Sequence, residues 1–158
     1  MDDVYDKFFP QSSSQWDALA HVAYAPGEFY NGLTSDQMIA EGRNGIDHLA
    51  RRGIAGRGVM LDVYKTLTEA GRPYEPGSSH PITVDDLEMT RKAAGIEFRS
   101  GDIVLLNTGF LKWYEGLDAA GRQEIAVPGG LHAPGLEHTE AMLEEPFDSR
   151  MSETMRTV

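Results

Sequence analysis

From Gln11 to His21 the chain reads QSSSQWDALAH, and this is where residue types and spacing could carry chemistry. The stretch holds two amides, a carboxylate and an imidazole. Amide and carboxylate oxygens suit Mn²⁺, Mg²⁺ or Ca²⁺, and imidazole widens the choice to Zn²⁺ and Fe²⁺. In an extended or turning backbone Gln15 and Asp17 point to the same side, because side chains alternate. Gln11 and His21 flank that pair and close the cluster if the chain turns. The same spacing also allows a polar loop, in which Ser14 and Asp17 cap a helix beginning near Trp16.

Other residues invite chemistry less strongly. His80, ahead of Pro81 in a loop, reads as a surface histidine, with a substrate contact as the alternative. His132 and His138, near Glu137 and Glu140, are spaced so that one helical face cannot carry both imidazoles. His48 beside Asp47 reads as solvent-exposed. Asp62 reads as a structural hydrogen-bonding acid at a strand end, with a catalytic role as the alternative. Trp113 and Tyr114 follow a strand where α/β sheets place ligand loops, although packing accounts for them better. Gly56-Arg57-Gly58 is too short for a phosphate-binding loop.

The elements that must position these residues are legible in part. Residues 58–63 (GVMLDV) and 102–108 (DIVLLNT) are nearly continuous apolar runs, the mark of strands buried on both faces. Between them, Thr83 starts a helix, Asp85 and Asp86 favour its positive end, Leu87, Thr90 and Ala94 repeat at helical spacing, and Gly95 stops it. Strand, helix, strand is an α/β pattern. Residues 34–52 form a weaker helical reading interrupted by Gly42 and Gly45. Residues 74–81 are a loop, and Pro134 stands where a last helix, over 133–145, could begin.

The chain has 158 residues, a length suited to one domain, here 1–158. Its 14 Lys and Arg stand against 25 Asp and Glu, a net charge of −11. That balance excludes phosphate backbones and anionic membrane surfaces as main partners. Absence of cysteine removes disulfides, thiol catalysis and Cys-ligated zinc, and fits a reducing cytoplasm. No run approaches the roughly 20 apolar residues of a membrane span. The acidic start, MDDVYDKFFPQ, is unlike a signal peptide, so a cytoplasmic location is expected.

Residues 12–22, SSSQWDALAHV, resemble the signature of the putative cyclase family, the group containing bacterial kynurenine formamidase and isatin hydrolase. That family carries a His-x-Gly-Thr-His-x-Asp-x-Pro-x-His motif. Laid on this chain, its first His falls on Gln11, its Gly on Ser13, its Thr on Ser14 and its second His on Gln15. Its Asp falls on Asp17, its Pro on Leu19 and its last His on His21. Asp17 and His21 match by identity. The two Gln resemble a branch of the family reading SQWD-x-x-AH. Phe29-Tyr30-Asn31-Gly32, residues 56–62, residues 101–109 and Pro134-Gly135-Leu136 resemble family segments in the same order, so that the likeness runs over about residues 2–145.

The resemblance implies a swivelling β/β/α-type mixed sheet with flanking helices, incomplete in this chain. It implies a metal-dependent hydrolase that cleaves a C–N amide bond in a small cyclic or aryl substrate, as arylformamidases of tryptophan catabolism do. By carry-over Asp17 is a metal ligand, with Gln15 and Gln11 as neutral ligands, and His21 moves protons. Trp16, Phe29 and Tyr30 would line the substrate pocket, packing being the other role open to them. Two Gln in place of two His favour a harder ion, Mn²⁺ over Zn²⁺. The family also implies a homo-oligomer, and further His and Glu ligands from a second half that this chain does not reach. The alternative is a non-catalytic fragment or pseudoenzyme that keeps part of the fold.

Overall fold

The computed structural model describes residues 6–7, 16–23, 25–137 and 139, which divide by contact into two units, Met1–Ala55 and Gly56–Val158. In the first, β1 (Glu28–Phe29) folds back antiparallel on β2 (Leu33–Thr34), with Phe29 opposite Leu33. The turn between them is a single 3₁₀ turn, Tyr30–Gly32, whose Asn31 is left-handed at φ 65°. Thr34 then caps α1 (Ser35–Glu41) reciprocally. Its hydroxyl accepts from the Gln37 N–H, and the Gln37 side chain accepts from the Thr34 N–H at 2.9 Å. The helical reading over 34–52 resolves into two helices parted by residues 42–46, since α2 spans Asp47–Arg52. Phe29, Leu33 and Met38 form a small core for this unit.

The second unit is built on β3 (Gly58–Asp62) and β5 (Ile103–Asn107), paired in parallel with Met60 opposite Leu105. From β3 the chain enters α3 (Val63–Glu69), then β4 (Pro81–Ile82) and α4 (Val84–Ala93), before returning to β5. Thr83 caps α4 as its sequence predicts, and Gly95 sits just beyond its end at φ 64°. Val59, Leu61, Val63, Leu67, Ile82, Leu87 and Phe98 make one continuous core. After β5 come α5 (Phe110–Glu115) and α6 (Ala119–Ile125). Among the described residues no helix is long and apolar enough to cross a membrane.

Two expectations are overturned. The apolar strands are buried on one face only: Val59 and Leu61 are buried, whereas Met60 is 53% and Leu105 47% exposed. Side chains alternate across a strand, and the core cluster of α3 and α4 lies on the Val59 and Leu61 side alone. Pro134 does not open a helix. Gly135–Leu136 is instead β6, parallel to β4, because the N–H groups of Gly135 and Glu137 donate to the carbonyls of His80 and Ile82. The rest of the expected helix, residue 138 and residues 140–145, lies outside the described residues.

At the entry of both long strands Arg57 grips Asp102, Nε donating to Oδ1 at 2.9 Å and Nη2 to Oδ2 at 2.6 Å. A third bond runs from Arg57 Nη2 to the Glu97 carbonyl, and the Arg99 N–H also donates to Asp102. The Arg57 hydrogen bond is the main cause holding the Asp102 carboxyl below the usual carboxylate range.

Candidate functional site

In the first unit the described part of the motif, residues 16–21, forms a turn. The His21 N–H donates to the Ala18 carbonyl at 2.9 Å, and among the described residues no helix begins near Trp16, so Asp17 does not cap one. The turn brings Asp17 Oδ1 and His21 Nε2 to 4.0 Å. Side-chain exposure is 52% for the carboxylate and 28% for the imidazole, so both are within reach of a ligand. The half-exposed Asp17 carboxylate could serve one cation as a ligand, with the His21 imidazole facing it rather than sharing the ion. Among the described residues no three His, Asp or Glu gather into a fuller set. Gln11 and Gln15, the two remaining expected ligands, lie outside the described residues.

One residue that the motif did not point to holds this turn. Asn44 accepts from the Ala20 N–H at 3.1 Å through its carbonyl and donates from Nδ2 to the Tyr30 carbonyl at 3.1 Å. Asn44 thus ties the motif turn to the 3₁₀ turn bearing Tyr30. Its φ of 60° is left-handed, a conformation Asn tolerates better than most residues. The dipeptide Asn44-Gly45 was the available signal, since Asn-Gly marks turns. Of the three expected substrate aromatics, Trp16 is 59% exposed and Tyr30 partly exposed, whereas Phe29 is drawn into the core with Leu33 and Met38. His48 is exposed, as its sequence position suggests.

A second cluster forms at the C-terminal ends of β3 and β5, the end of a parallel sheet where ligands gather in α/β folds. Asp62 caps α3, accepting from the Lys65 N–H at 3.0 Å, which is the structural role expected of it. The Tyr74 hydroxyl donates to the Thr108 carbonyl at 3.0 Å. Its ring meets Tyr64 edge-on at 5.5 Å and stacks on His80 at 4.2 Å. Burial, aided by Tyr64, Asp62 and Asp86, pushes the Tyr74 hydroxyl up to about 12. The reading of His80 as a surface residue is overturned: Nε2 is buried and has no hydrogen-bond partner among the described residues. Gly109 is obligatory here, at φ 76° and with Tyr64 only 2.6 Å from where a Cβ would stand.

Beside this cluster Asp86 is buried, at 1% exposure. Burial pushes its carboxyl up, but the Thr83 N–H and hydroxyl and the Arg72 guanidinium together outweigh burial and hold it low. Arg72 Nη1 approaches to 2.8 Å as an ion pair, off the line of a well-directed hydrogen bond. His132 Nδ1 is 3.1 Å from the Ser79 hydroxyl, on the surface. Glu137 accepts from the Val84 N–H, and His138 and Glu140 lie outside the described residues. Trp113 packs so tightly on Gly77 that a Cβ at that position would overlap its ring.

Comparison with known proteins adds three findings. The sequence profile described as Putative cyclase matches residues 5–147. A solved structure described as the crystal structure of a novel cyclase aligns with probability 1.00 and a TM-score of 0.62, at 26% identity over 88% of this chain. The chain spans 46% of the length of that neighbour. Among curated proteins none matches.

Proposed function

The chain belongs to the putative cyclase family, and from that premise we propose that it contributes the metal-binding turn of a hydrolase cleaving a C–N amide bond in a small cyclic or aryl substrate. The observation that carries the reading is the 4.0 Å approach of Asp17 and His21, the two positions where this chain matches the family motif by identity. Asp17 supplies the negative charge that holds a divalent ion, with Gln15 and Gln11 as neutral oxygen donors. Carboxylate and amide oxygens make Mn²⁺ the better fit than Zn²⁺. When bound, the ion supplies Lewis acidity at the scissile carbonyl. His21 Nε2, facing Asp17, moves the proton between nucleophile and leaving amine. Asn44 keeps the turn in place, and Trp16 and Tyr30 offer apolar surface to the substrate.

Elemental analysis tests this reading, after dialysis against Mn²⁺ or Zn²⁺ with Asp17→Asn beside the unaltered chain. Near-stoichiometric Mn²⁺, lost in the variant, is expected. Stoichiometric Zn²⁺ with no Mn²⁺ would sink the hardness argument. Retention of neither would favour the alternative, a cyclase-like fold without catalysis in this chain.

A further inference from the structure

The first turn of α5 brings aromatic rings to the exit of β5, and α6 returns beside it with a single cation. Phe110 and Tyr114 stand one helical turn apart, ring centroids 6.3 Å apart and nearly parallel. Asp118 caps α6, accepting from the Gly121 N–H at 2.8 Å, and this cap sets where Arg122 emerges. With Ile125, Ala126 and Leu131, these side chains line an open cavity of about 260 Å³. The Arg122 guanidinium lies over the Tyr114 ring, 5.3 Å from its centroid. Nη2 donates to the Glu115 carbonyl at 3.2 Å. Among the described residues no carboxylate pairs with Arg122, and its Nε and Nη1 groups make no hydrogen bond.

We propose that this cavity binds a small aromatic monocarboxylate. The walls are apolar and aromatic, suited to stacking a ring. The Nε–H and Nη1–H groups, left without acceptors, offer charge-assisted donors to a carboxylate oxygen. One cation compensates one charge, and a chain of net charge −11 repels anions of higher valence. The volume limits the ligand to a single ring with a short acid arm. The site uses no residue of the Asp17–His21 pair and requires no metal.

The test is ligand-observed NMR titration of the metal-free chain with phenylacetate, beside its neutral isostere 2-phenylethanol. Phenylacetate should saturate with a Kd on the order of 1 mM, as its few non-hydrogen atoms allow. 2-Phenylethanol should bind at least about tenfold more weakly. Arg122→Gln should weaken phenylacetate by a similar factor. Its circular dichroism and melting should match the parent, because the side chain is exposed. Three results each overturn the proposal: no saturation by about 20 mM, equal binding of the alcohol, or undiminished binding in a folded Arg122→Gln. A failure here leaves the metal reading intact, since no metal is present in the titration.

Discussion

The two units hold their chemistry-bearing residues in opposite ways. In the second, Asp86, Tyr74 and His80 belong to a body with a continuous core: hydrogen bonds hold Asp86 and Tyr74, and stacking on Tyr74 holds the His80 ring. In the first, Asp17 and His21 ride on an irregular turn that a backbone bond joins to Asn44, with Phe29, Leu33 and Met38 as the buried core among the described residues. Buried groups thus stabilise the second unit, while the groups proposed to serve metal and substrate sit on an irregular turn. That division is usual where a loop must admit a ligand. It also separates the effects of substitution, because damage to one unit should register mainly as lost stability and damage to the other mainly as lost binding or turnover.

The sharpest test of that separation is His21→Gln. With metal supplied and an N-formyl arylamine as substrate, turnover should fall about 10²- to 10⁴-fold while the melting temperature stays within a degree or so. A large drop in melting would mean that the turn is part of the stabilising core after all. Next comes Leu61→Ala at a fully buried position. It should lower unfolding free energy by about 3 kcal/mol in urea titration, with metal retention at the Asp17 turn unchanged in the folded protein.

Asp86→Ala should cost about 2 kcal/mol, since it removes both the capping box of α4 and the partner of Arg72. Its pH signature follows from the direction of the shift. A carboxyl held low in the folded state contributes stability above its ordinary value near 4, and loses it as pH falls through the lower folded value. The parent should therefore weaken below about pH 4, and the variant less steeply. An unchanged acid limb would assign that loss to other carboxylates, Asp102 first among them. The smallest effect belongs to Asn44→Ala, about 1 kcal/mol locally. It should appear as faster amide exchange at Ala20 and weaker metal retention, with exchange in β3 and β5 unaltered.

Much of the second unit was legible because its signals are local and periodic. Thr83 with Asp86 three residues on is a capping box, and Gly58-Val59-Met60-Leu61-Asp62 admits little besides a strand. Which face of that strand would be covered was not legible, since Met60 and Leu61 differ only in which side of the sheet they occupy. β6 escaped for a related reason: Pro134 suits a helix start and an extended segment equally, and the distant carbonyls of His80 and Ile82 decide. In the first unit the chemistry-bearing pair was readable as residue types. The 4.0 Å approach of Asp17 and His21 was not, because it depends on how residues 16–23 turn. Asn44 was missed since its role lies in two backbone contacts, one of them 14 residues away.

The parallel pairing of β3 with β5 also has a consequence in time. Arg57 and Asp102, which close the entry of the two strands, stand 45 positions apart. At a synthesis rate of about 5–20 residues per second, β3 emerges roughly 2–9 seconds before its partner exists. Throughout that interval Val59 and Leu61 have no strand beside them, and for most of it no finished α4 above them. A newborn chain of this protein therefore carries an unpaired, β-prone apolar segment, and its yield in cells should depend on chaperones that shield the segment until β5 arrives.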